Sequence, residues 1–291
     1  MLDRAIESNR NPQPVRFPSR MRDGYRREYD PRRERERVAF RQRSERALAD
    51  VGIYRAVSFR DLAETNFGGH PYTARRAVNS WIEQGLARES TATGPRGNPF
   101  KVLTLTSRGA DKAQKLVAKQ GLNPEQQVSS GFLQRVQIVH DTGVYRACQW
   151  ERQRLLEQSA TLRRVRLDAE LKSIVARRSE TARVRDGRQS ADAERRRIAQ
   201  ELGLPVEENG RVLYPDAQLE YTDADGHAGR VNVEVASSHY SSSSIRSKAR
   251  AGFVLHAPDT AQTRMLRILG TGGGKTSIRG PAQRDPAAFE L

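Results

Sequence analysis

Three side chains define the chemistry that this sequence could perform. Asp216 follows Pro215 in RVLYPDAQLEY, Glu234 lies in RVNVEVASSHY, and Lys248 stands in SSSSIRSKAR. Two carboxylates carried on neighbouring strand ends are hard oxygen ligands and suit Mg²⁺. Such an ion activates water and offsets charge on a phosphate, while a lysine beside it positions or activates the nucleophile. Glu170, in DAELKSIVARR, is a fourth candidate, as a helper. The reaction implied is metal-dependent cleavage of a phosphodiester, with Asp216 and Glu234 holding the metal. A competing reading makes Asp216 a turn initiator and pairs Glu234 with a nearby base, so that no cofactor is expected. Arg211 or Arg246 would then bind phosphate without cutting it.

The elements that must position these residues follow from the pattern. The stretches 211–221 and 230–240 alternate and are separated by turn chemistry at 223–229, which predicts a hairpin. Ser241 can start a helix that runs through Lys248, and Gly252 ends it before a third strand, FVLHA. From 162 to 202 the chain reads as helical and charged. Leu167, Leu171, Ile174 and Val175 make one apolar stripe, Ile198 and Leu202 another, and 183–192 interrupts them. Helix, hairpin strands bearing PD and then an acid, helix, strand is the layout of the PD-(D/E)xK nuclease core. The lysine of that pattern would fall two residues beyond Glu234, where Ala236 stands; migration of the lysine to the neighbouring helix would make Lys248 its replacement.

A second constellation lies at 58–106. Ser58 and Asp61 form a capping box for a short helix that stops at Gly68 and Gly69. Pro71 opens a second helix. Ala74, Ala77, Val78, Trp81 and Ile82 are its apolar face; Thr73, Arg75, Arg76, Asn79 and Ser80 are the opposite face, and all five can bond to bases or phosphates. Strands near 86–91 and 100–106 follow, joined by a basic turn, GPRGNP, with Arg96 at its tip and Lys101 just past it. Helix, turn, helix and two-stranded wing suit entry into a DNA major groove. Thr106 or Ser107 caps a further helix over 110–119, and an earlier one is expected over 34–56.

Charge supports a polyanionic partner. Lys and Arg number 51 against 35 Asp and Glu, giving a formal net charge of +16 over 291 residues. No apolar run is long enough to span a bilayer, and the first residues lack a signal peptide's hydrophobic core, so no membrane and a cytoplasmic setting are expected. The one cysteine, Cys148, excludes an internal disulfide and a thiolate metal cluster. His140 and Asp141 read as a histidine packed over an aromatic and an N-cap aspartate, with a catalytic role as the alternative. LGTGGGKTS at 269–277 lacks the first glycine of a phosphate loop and is read as a mobile loop. The five histidines contain no closely spaced pair of the kind a rolling-circle relaxase needs.

The winged helix ending in LTSRG, the segment VHDTGVY, the charged helices, YPDAQLEY, and VNVEVASSHY with its lysine-bearing helix together resemble the replication-relaxation family of plasmids, conjugative elements and phages. The resemblance covers roughly 34–257. It implies a DNA-binding winged helix joined to a nuclease-like domain, tied to replication or mobilisation of the element. Members often follow PD with a strand carrying acid-x-acid; here Ala236 stands at the second acid.

The expected fold is thus a multidomain α+β and α/β chain, a winged helix-turn-helix followed by a degraded restriction-endonuclease-like domain. Its parts are a disordered basic arm over 1–33, the winged helix over 34–120, a polar linker over 121–131, the nuclease-like domain over 132–269 and a flexible tail over 270–291. The expected function is sequence-selective binding of double-stranded DNA for a mobile element, recruiting replication or transfer machinery or regulating transcription. The alternatives are a Mg²⁺-dependent endonuclease using Asp216, Glu234 and Lys248, and a protein–protein assembly adaptor. Expected partners are double-stranded DNA, a relaxase, replication or transfer protein, and a second copy of the chain.

Overall fold

The computed structural model describes residues 30–94, 97–131, 137–236, 240–257, 268 and 278–279. The chain divides into two compact units, Met1–Val38 and Ala39–Leu291. Of the first, the described part is the solvent-exposed start of helix α1 (Pro31–Tyr54), where Asp30 Oδ1 accepts a hydrogen bond from Arg32 N at 2.9 Å. The account below concerns the second unit.

Among the described residues the fold is mixed α/β, with eight helices and two sheets. The end of α1 buries Ala47, Leu48, Ala49, Val51, Ile53 and Tyr54. Strand β1 (Val57–Ser58) leads to α2 (Phe59–Phe67), which Ser58 caps by accepting from Asp61 N. Gly68, at φ +63°, ends it in the left-handed conformation that glycine tolerates. Helix α3 (Pro71–Glu83) has proline in its first turn and buries Ala74, Ala77, Val78 and Trp81. Trp81 is a core residue as expected, donating Nε1–H to Ser44 Oγ; Ile82 is exposed. Strands β2 (Ala87–Thr93) and β3 (Pro99–Leu105) pair antiparallel, and β1 adds to the far edge of β3. Thr106 caps α4 (Ser107–Lys119) through Gly109 N. A Cβ at Gly109 would lie 1.8 Å from Leu86 O, so this close approach requires glycine.

Helix α5 (Ile138–Glu157) precedes strand β4 (Thr161–Leu167). The strand corrects the reading of 162–202 as helical. Its alternation is hidden by three arginines, and Val165 faces the core while β4 pairs antiparallel with β5 (Ala217–Thr222). Helices α6 (Asp168–Asp186) and α7 (Arg188–Glu201) are inserted between those strands and break at Gly187. Strand β6 (Ala228–Val235) completes the hairpin with β5 as the spacing predicts. Ser241 caps α8 (Ser242–Arg250), which crosses over to β7 (Val254–His256), parallel to β6. A further parallel strand, β8 (Ile278–Arg279), gives the order β4-β5-β6-β7-β8.

The segment 121–131 is a docked strap rather than a loose linker. Gln126 is buried, and its amide accepts from Val165 N at 2.7 Å and donates to Val165 O at 2.8 Å. Asn123 N bonds to Arg163 O, Ser129 N to Gly52 O and Gly131 N to Leu105 O. Nor do the two halves keep separate cores. One apolar cluster includes Leu48, Phe67 and Trp81 as well as Tyr145, Leu219 and Val233. Helix α5 joins the halves by polar contacts too: Arg146 makes a bidentate pair with Asp61 at 2.9 and 2.8 Å, and Tyr145 Oη meets Thr65 Oγ1 at 2.6 Å.

No helix among the described residues is long and apolar enough to cross a membrane. The expected basic arm (save its last residues), the loop 269–277, residues 270–277 and 280–291 of the tail, and Arg96 lie outside the described residues.

Candidate active site and basic helix face

The hairpin and its crossover bring Asp216, Glu234 and Lys248 together. Asp216 stands immediately before β5, and the β5–β6 register sets Ala217 opposite Val233. Two backbone bonds cross-brace the acids: Asp216 N donates to Glu234 Oε2 at 3.3 Å, and Val235 N donates to Asp216 Oδ2 at 2.7 Å. From α8, Lys248 Nζ donates to Glu234 Oε1, and to Tyr214 O at 3.1 Å. Tyr240 Oη donates to Glu234 Oε1 at 2.5 Å. Lys248 thus reaches Glu234 from the helix, while Ala236 brings no charged side chain from the strand.

Glu234 is 0% exposed. Burial raises its pKa, the neighbouring Asp216 charge raises it further, and Lys248 and Tyr240 oppose both effects. Burial and the same carboxylate push the Tyr240 phenol upward, so it remains a donor at neutral pH. Asp216 is less enclosed, and its Oδ1 lies 3.1 Å from His140 Nε2. That bond raises the His140 pKa above its ordinary value, against the opposing effect of burial.

His140 and Asp141 correct the sequence reading. The cap residue of α5 is Gln137, Asp141 sits within the first turn, and His140 contacts a carboxylate rather than an aromatic. Desolvation pushes the Asp141 pKa up to about 6. Glu170 is placed elsewhere: it is buried against Arg164 at 2.7 Å and Arg166 at 3.6 Å. The acid of α6 near the cluster is Asp168, whose backbone N–H donates to Asp216 O at 3.0 Å. Of these, Asp168 and Tyr240 carried no signal in the sequence that the site would use them.

Asp216 and Glu234 are the oxygen donors that a hard divalent cation could share, although both Glu234 oxygens already accept hydrogen bonds, from Lys248, Tyr240 and Asp216 N. Two carboxylates of like charge are held side by side, one of them wholly desolvated, and a cation would relieve their repulsion. Asp216 and Glu234 would hold it. A different group, Asp223, Asp225 and His227, clusters in the β5–β6 turn with potential ligand atoms within 4.8 Å of one another. There Asp223 Oδ1 accepts from the backbone N–H of Asp225 and His227, which accounts for the grouping as a turn.

The α3 face differs from expectation in one respect. Arg76 and Asn79 are exposed, and Thr73 and Ser80 half-buried. Arg75 is half-buried and engaged within the fold, its guanidinium 4.0 Å from the Phe59 ring centroid and 2.5 Å from Glu89 Oε2 on β2. Arg76 stacks on Phe40 at 3.9 Å and keeps an exposed edge. Tyr72, which sequence reasoning passed over, is 91% exposed. On β3, Lys101 Nζ donates to Thr91 Oγ1 across the hairpin. Compared with family models, curated proteins and solved structures, the chain matches none.

Proposed function

We propose that this chain binds double-stranded DNA through a winged helix and carries, on its five-stranded sheet, a metal-dependent phosphodiester-cleaving site of the PD-(D/E)xK kind. The observation that carries the reading is the convergence of Asp216, Glu234 and Lys248, in the order helix α5, strand β4, the inserted helices α6 and α7, strands β5 and β6, helix α8, strand β7. Mg²⁺ bound there would supply a water of lowered pKa and charge compensation for the phosphate. The residues' own contributions follow from their contacts. Lys248 and Tyr240 keep the desolvated Glu234 carboxylate oriented, Val235 N fixes Asp216 Oδ2, and His140 stands at the more open Asp216 Oδ1.

The winged-helix part of the proposal rests on α2, α3 and the β2–β3 hairpin, with Arg76, Asn79 and Thr73 toward the groove and Lys101 toward the backbone. A setting in replication or transfer of a mobile element rests on the motif resemblance in the sequence alone, which no comparison with known proteins supports. A second reading, a binding protein with a closed site, is favoured by the complete burial of Glu234. A cleavage assay separates them. The native chain should cut DNA with Mg²⁺ and not in EDTA, and Asp216→Asn should not cut. Binding without any cut would return the second reading.

A further inference from the structure

A cleft of about 650 Å³ lies between α1 and α2 on one side and α5 and the start of β4 on the other. The site reading above assigns it no role. Its volume is that of a small-molecule site. The lining includes four arginines, Arg46, Arg60, Arg146 and Arg152, against two acids, Asp61 and Glu64. Asp61 is already neutralised by its bidentate pair with Arg146. Arg46 Nε donates to the neutral amide oxygen of Asn66. Arg152 lies 3.5 Å from Asp50, whose pKa burial raises. The cleft is therefore cationic on balance.

Its second property is an aromatic platform. Trp150, on α5, lines the cleft and is 52% exposed, beside Leu156 at 65%. A half-exposed tryptophan beside guanidinium groups is the pairing that holds unpaired nucleotides: the base stacks on the indole and the phosphate meets arginine. Duplex DNA cannot use such a platform, because its bases are already stacked.

We propose that this cleft takes a nucleotide unit of unpaired nucleic acid, with Trp150 as the stacking surface and Arg46 and Arg152 contacting phosphate. The site lies apart from the Asp216 cluster in its residues and does not depend on cleavage.

The two tryptophans make the test specific, since Trp81 is 4% exposed and Trp150 is the accessible one. Intrinsic fluorescence of the full chain is titrated with oligothymidylate, with thymidine monophosphate and with a blunt-ended duplex, all in EDTA. Oligothymidylate should quench a large part of the emission, and Trp150→Phe should remove that quench. By anisotropy of end-labelled oligothymidylate, which needs no tryptophan, Trp150→Ala should weaken binding about tenfold, as expected for one lost stack; Arg46→Gln should also weaken it and flatten its salt dependence. Quenching by the monophosphate at similar concentration would make the source a free nucleotide and overturn the strand assignment. Equal affinity for oligothymidylate in native and Trp150→Ala protein, with circular dichroism unchanged, would overturn the site. Loss of duplex affinity in an Arg76→Ala variant that still binds oligothymidylate would leave this proposal standing and isolate it from the winged-helix reading.

Discussion

The Asp216 cluster and the α3 face hold their charges in opposite ways. In the cluster, Glu234 is fully desolvated and every close neighbour is fixed: a lysine, a phenol and a backbone N–H. On α3, Arg76 and Asn79 remain open to solvent, while Arg75, one position along, is stacked and paired within the fold. Removing one partner of a buried pair leaves an uncompensated charge and is strongly destabilising; removing an exposed arginine changes stability little. Stability should therefore report on the cluster and DNA affinity on the helix face.

The largest effect is expected at Lys248. Lys248→Met strands the buried Glu234 carboxylate and should cost about 3–5 kcal/mol, read from urea unfolding. Adding Glu234→Gln should return much of that loss, because the charge that needed the lysine is gone. A small effect for Lys248→Met alone would mean that Glu234 is protonated in the fold.

Next is Gly109→Ala, which drives a methyl group into Leu86 O and should lower stability by roughly 2 kcal/mol or more. That measurement tests whether the α4 entry is as close as the structure has it.

The pH dependence of Asp141 comes third. Burial raises its folded pKa from the ordinary aspartate range to about 6. An acid raised on folding contributes stability that is fully present below its unfolded value and lost as pH rises through the folded one. Asp141→Asn should therefore be more stable than the native chain above about pH 6, and the difference should vanish or reverse below about pH 4. Thermal unfolding at pH 4 and pH 7.5 reads this directly.

The smallest effects on stability belong to α3. Arg76→Ala should cost only about 0.5–1 kcal/mol, through its lost stack on Phe40, yet weaken duplex binding severalfold and lower its salt slope by about one ion. Arg75→Ala should do the reverse, costing stability through its lost stack on Phe59 and its lost pair with Glu89. If Arg75→Ala weakened DNA binding more than Arg76→Ala, the assignment of the outward face would be wrong.

What the sequence made legible was local or ordered by type. Ser58, Gly68, Pro71 and Thr106 mark helix ends through bonds to their near neighbours, and each stands where the pattern puts it. The hairpin and the Ser241 helix follow from alternation and capping, so Asp216, Glu234 and Lys248 could be gathered from order alone. What escaped depends on contacts between distant parts of the chain. Arg75 is engaged by Glu89, which reaches it only once the β2–β3 sheet is formed. Glu170 is claimed by Arg164, a residue of a strand that its own arginines disguised as helix. His140 meets Asp216 only when α5 packs on the sheet, and Gln126 ties the strap to β4 by bonds that no spacing rule announces.

The central claim is that Asp216 and Glu234 form a cation site, and Mn²⁺ binding measured by calorimetry tests it without any need for a substrate. The account expects one ion per native chain, lost in the Asp216→Asn, Glu234→Gln double variant and retained in Asp223→Asn, which alters the exposed turn group instead. No binding by the native chain, or binding lost with Asp223→Asn and unchanged in the double variant, would contradict it.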